Sequence, residues 1–100
     1  IKSDSKAFCD TLVTDSNANI RCSIISFSSQ LGHRTLAKST NNVSELNTAI
    51  DNIQSGAGSY LAQAILRAND IMSSNSTNQK YYIHRRRLRL TLAYEYYTNS

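Results

Sequence analysis

Cys22-Ser23-Ile24-Ile25-Ser26-Phe27-Ser28-Ser29 decides the fold of this 100-residue chain. Its β-branched and aromatic residues are interrupted by nothing larger than serine, which is the composition of a strand buried on both faces. Some thirty residues downstream stands Gly56-Ala57-Gly58-Ser59-Tyr60-Leu61-Ala62-Gln63-Ala64-Ile65. Two glycines and a hydroxyl residue opening an apolar helix describe a loop that faces a ligand.

Outward from the strand, the remaining segments fall into place by periodicity. Upstream, Ser3 or Asp4 caps a helix running to about Val13, with Phe8 and Leu12 four residues apart on a core-facing stripe. Thr14 to Asn19 is a polar turn that delivers the chain into a strand from Ile20 to Ser28. Gln30-Leu31-Gly32-His33 reads as a tight turn, Arg34 to Ala37 as a short edge strand, and Ser39 to Asn42 as loop. Ser44 then caps a helix whose apolar residues Leu46, Ala49, Ile50 and Ile53 recur at spacings of three and four, and Gly56 closes it. A longer helix follows from about Ser59 to Met72, with Leu61, Ala64, Ile65, Ala68 and Ile71 or Met72 as its buried stripe and Ala62 and Ala68 small enough for close packing on a sheet. Ser73 to Gln79 is uniformly polar and reads as exposed loop. Strand alternating with helix predicts an α/β fold layered around a largely parallel sheet.

The order strand, helix, glycine loop, helix over roughly residues 6 to 79 resembles the von Willebrand factor type A (VWA) domain. In that family a Gly-x-Thr step before a helix supplies a hydroxyl to a bound divalent cation, and here Ser59 stands at the threonine position. The resemblance implies an incomplete doubly wound, Rossmann-like, mostly parallel sheet flanked by helices. It also implies an extracellular or cell-surface adhesion module that holds, through Mg²⁺, a protein ligand presenting an acidic side chain. The sequence departs from the family at two loops. The Asp-x-Ser-x-Ser loop would precede Ile1, and where Thr-Asp-Gly is expected the chain has Tyr81-Tyr82-Ile83-His84-Arg85-Arg86-Arg87. One hydroxyl is a poor ligand set for a hard cation that takes six oxygens, so the expectation is a fragment whose metal site is incomplete and which does not hold Mg²⁺ stably.

Composition divides the chain near Gln79. The net charge of +4 hints at nucleic acid until it is apportioned. Residues 1–79 are neutral, whereas Lys80, Arg85, Arg86, Arg87 and Arg89 face only Glu95 in residues 80–100, a segment that also holds Tyr81, Tyr82, Tyr94, Tyr96 and Tyr97. The organisation expected is therefore a partial VWA-like domain at 1–79 and a basic, tyrosine-rich tail at 80–100. Three readings of the tail stay open. It is a surface for phosphates and bases, a further strand, or sequence foreign to the domain such as a shifted reading frame produces. Strict alternation of Leu88, Leu90, Leu92, Tyr94 and Tyr96 with Arg89, Thr91, Ala93, Glu95 and Tyr97 supports the strand. Nucleic-acid binding is disfavoured, because one segment supplies no groove.

Individual residues carry two readings each. Ser59 is a candidate metal ligand or, by position, an N-cap. Cys9 and Cys22 either bridge, contributing about 3 kcal/mol if the compartment is oxidising, or stay buried as free thiols. Asn42-Val43-Ser44 and Asn75-Ser76-Thr77 are acceptor sequons, giving Asn42 and Asn75 as candidate N-glycosylation sites and tilting the reading toward an extracellular setting. His33 and His84 have no metal-spaced neighbours and read as solvent-facing. No apolar run reaches the roughly 18 residues needed to cross a bilayer. Catalysis finds no support, for the chain lacks a nucleophile elbow, a Gly-rich phosphate motif with a following Lys, and any Cys or His cluster. The expectation is a protein-binding module, not an enzyme. Its rivals are a non-binding structural α/β segment and a salt-sensitive binder of nucleic acid or acidic surfaces.

Overall fold

The computed structural model describes residues 2–28, 32–53, 61–85 and 88–98. Along the chain these form α1 (Lys2–Val13), β1 (Ile20–Ser28), β2 (Gly32–Thr40), α2 (Val43–Asp51), α3 (Leu61–Ile71), β3 (Gln79–Arg85) and β4 (Leu90–Tyr96). The α/β class holds, but the expected parallel sheet does not. The four strands lie in the order β2-β1-β4-β3, and every neighbouring pair is antiparallel. Connection length is the reason. Only residues 29–31 join β1 to β2 and residues 86–89 join β3 to β4, which suffices for hairpins and is far too short for the crossover that parallel neighbours require. β1 and β3, joined through two helices, do run the same way, but β4 lies between them and opposes both.

Alternation along β1 and β4 builds two cores. Ile20, Cys22, Ile24, Leu90 and Leu92 meet Cys9 of α1 and Leu46, Ala49 and Ile50 of α2, with Ile53 just beyond. On the opposite face Ile25 and Ala93 meet Ala64, Ala68 and Ile71 of α3 and Met72. Helices therefore flank the sheet on both sides, as the layering argument expected. Each fully buried Ile or Leu contributes about 1.5–3 kcal/mol.

Helix ends depart from the periodicity. Ser3 and Asp4, expected as caps, lie inside α1, and α2 ends at Asp51 with Asn52 as its C-cap, short of Gly56, which lies outside the described residues. In α1 the buried positions are Ser5 and Cys9, with Leu12 and Val13 packed against the core, whereas Phe8 is 38% exposed. The stripe is one residue round from the expected one, because Cys9 faces Cys22 and Phe8 is left to pack on the flank. The N-cap of α2 is Asn42, not Ser44, since the Asn42 Oδ1 accepts from the Glu45 N–H at 3.0 Å. In α3 it is Ala64 and Ala68 that allow close approach to the sheet, and Ala62 is exposed. Lys2 ties the helices together by donating to the carbonyls of Asp51 and Ile53, both at 3.0 Å, and Lys6 pairs with Asp51. These cations sit at the negative end of α2.

β2 is longer than the short strand expected, and two register shifts against β1 bend it. At the first, Ser39 takes φ 43° and its N–H donates to the Ser23 Oγ at 2.8 Å. A buried hydroxyl thereby satisfies the amide that the bulge removes from the ladder.

Candidate protein-binding surface

Period two in the last strand sorts its side chains to opposite faces. Leu92, Tyr94 and Tyr96 turn toward α1, and Thr91, Ala93 and Glu95 toward α3. Because β3 is in register with β4, Tyr81 lies beside Tyr94, and Lys80 beside Glu95. The aromatic side chains on the α1 face form a cluster. Tyr81 and Tyr94 stack with centroids 5.1 Å apart, Tyr96 meets Tyr81 edge-on at 5.8 Å, and Phe8 meets Tyr94 edge-on at 5.8 Å. Such pairs add about 0.5–1.5 kcal/mol beyond burial. Burial is the main cause that pushes the Tyr94 phenol above 10.0, with Tyr96, Tyr81 and Cys22 adding to it. Tyr82, on the other face, donates to the Asn69 Oδ1, and its phenol is raised by burial and by Glu95.

Glu95 is the one acid in residues 80–100, and it points inward. Its Oε1 accepts from the Ser73 N–H at 3.0 Å, and its Oε2 accepts from the Asn78 Nδ2 at 2.6 Å with the Lys80 ammonium 3.8 Å away. Burial alone would raise this carboxyl, but the bonds from Asn78 and Ser73 and the Lys80 charge outweigh it and hold the group below 4.5. Asn78 continues the network, its Oδ1 accepting from the Thr98 N–H at 3.1 Å and the Thr98 Oγ1 at 3.0 Å. Asn78 is thus buried, contrary to the expected exposed loop, because it bonds the segment before β3 to the end of β4.

With Glu95 withdrawn, the outward charge of this edge is positive. Arg85 is exposed and pairs with no carboxylate among the described residues, and Tyr81 and Tyr82 are 41% and 37% exposed. At the far end of β4 the Arg21 guanidinium lies 4.9 Å from the Tyr97 ring centroid.

The other candidate residues lie apart from this surface or outside the description. Ser59 and its glycine loop are outside the described residues. Asn42 is exposed and caps α2. Asn75 is exposed, and its Oδ1 accepts from the Thr77 N–H at 3.0 Å and the Thr77 Oγ1 at 2.7 Å. Cys9 and Cys22 are free thiols, fully buried and hydrogen-bonded to each other. That bond and burial push the Cys22 thiol far above 9.0. His84 is half-buried with its Nδ1 3.1 Å from the Thr91 Oγ1, not solvent-facing as expected, and the His33 side chain is outside the description. Glu95 and Asn78 escaped sequence reasoning. Only the period-two placement of a charge inside an apolar strand signalled the first.

A family model of the von Willebrand factor type A domain matches residues 2–85. The chain belongs to that family. No curated protein and no solved structure matches it. The VWA match ends with β3, so β4, which fills the interior of the sheet, lies beyond it. VWA domains in general can bind Mg²⁺ and typically mediate protein interactions. Among the described residues of this VWA chain, no three His, Cys, Asp or Glu side chains gather as a metal would require. Among the described residues no helix is long and apolar enough to cross a membrane.

Proposed function

We propose that this chain is a protein-binding module, not an enzyme, that captures a protein ligand presenting acidic side chains on the basic, tyrosine-bearing edge formed by β3. Family membership supports the general role. The observation that carries the specific one is the inward turn of Glu95, which leaves Arg85 and the exposed rings of Tyr81 and Tyr82 facing outward on β3. Opposite charge steers such a partner in, and aromatic rings then supply contact area. Capture by this surface needs no cation. The extracellular setting belongs to the same reading and is supported by the two exposed sequon residues, Asn42 and Asn75.

Fluorescence anisotropy with labelled poly-glutamate and a single-stranded DNA of equal charge tests the proposal. Poly-glutamate binding is expected to fall as salt rises, to be indifferent to a chelator and to weaken by about tenfold in Arg85→Glu. Capture abolished by the chelator would return the function to a cation. Tighter binding of the DNA would make the basic segment a nucleic-acid surface, and binding of neither probe would leave a structural module.

A further inference from the structure

We propose that β3 is a docking edge onto which an extended acidic segment of the partner protein adds as a fifth strand. This rests on the acidic-ligand reading above and states how that ligand is held. Among the described residues β3 pairs on one side only, with β4, and ends the sheet order. A strand so placed offers a row of backbone donors and acceptors that recruits extended chains. Its seven residues give an edge of about 23 Å at roughly 3.3 Å per residue.

Side chains flank that edge on both faces. Register with β4 sets Tyr81 beside Tyr94 on the α1 face and Tyr82 beside Ala93 on the α3 face, so an incoming strand meets an exposed ring on either side. Charge selects the occupant. A second copy would add another β3 of sequence Gln-Lys-Tyr-Tyr-Ile-His-Arg, which carries no acid to meet Arg85. An acidic strand sets carboxylates against Arg85 instead.

The test titrates the heptapeptide Glu-Val-Glu-Val-Glu-Val-Glu into the full chain and follows amide hydrogen exchange by NMR. Exchange is expected to slow by about tenfold at amides within residues 79–85. Two further peptides carry N-methyl groups on either the valine or the glutamate amides. Only alternate amides face the edge, so one is expected to bind about tenfold more weakly than the parent while the other keeps its affinity. Equal binding of all three peptides, or protection confined to other residues, would overturn strand addition while leaving acidic capture intact. So would poly-glutamate binding without heptapeptide binding. Failure of both probes removes both readings, and protection of residues 79–85 that depends on protein concentration alone would make a second copy the occupant.

Discussion

Glu95 keeps its charge where burial alone would remove it, because Asn78, Ser73 and Lys80 all favour the ionised form. A carboxyl held below its unfolded value contributes stability that is complete above that value and is lost as pH falls through the folded value. Glu95 therefore stabilises the fold at neutral pH, and its contribution fades below about 4.5, the ordinary value. In Glu95→Gln one acceptor oxygen becomes an NH₂ set against a donor, either the Ser73 N–H or the Asn78 Nδ2, and the Lys80 ammonium would lose its carboxylate and keep only the Asn75 carbonyl. The expected cost is about 2–3 kcal/mol at pH 7, shrinking as the pH falls toward 3. Urea midpoints of both proteins at each pH measure it, and a difference that does not change with pH would show that the network works through shape alone. The same scale shows why this site was hard to read. A glutamate alternating with tyrosines looks like a solvated position, and only a partner at position 78, seventeen residues away, makes its burial tolerable.

The caps and strands set the next level. α2 begins at Asn42 because its carboxamide reaches the Glu45 amide, while Glu45 itself accepts from the Thr40 Oγ1 at 3.0 Å and anchors the turn to the end of β2. Asn42→Ala is expected to cost about 1 kcal/mol, against less than about 0.5 kcal/mol for Ser44→Ala. Thermal unfolding of the two variants compares them, and an equal loss would mean that the helix starts later than it does here. This choice was ambiguous in the sequence, since Asn42 and Ser44 are both good caps and only backbone geometry separates them. Apolar spacing was decisive where it was dense. Leu46, Ala49, Ile50 and Ile53 are all buried as their period requires. It failed in α1, where the stripe is sparse and neighbouring residues compete for the core. Phe8 lost that competition to Cys9 because the tyrosines of β4 offered it a flank on which to pack.

Across the molecule, β4 is the strand on which the two cores depend, since its two faces contribute Leu90 and Leu92 to one and Ala93 to the other. Ending the chain after Arg89 would strip a neighbour from both β1 and β3 and uncover each core. The expected result is loss of the cooperative urea transition, and Leu92→Ala in the whole chain should cost about 2–5 kcal/mol. A cut chain that still unfolds cooperatively would make residues 90–98 an appendage. The sequence by itself determined the α/β class of the fold and the family, because these follow from local spacing of apolar residues and from residue order, and it left the period-two strand in the basic segment as one of three readings. Tertiary structure alone decided that the sheet is antiparallel, that β4 lies inside it and that Glu95 is buried. Strand order and the pairing of a charge depend on contacts between residues far apart in the chain, and no local pattern encodes which distant strand fills a gap.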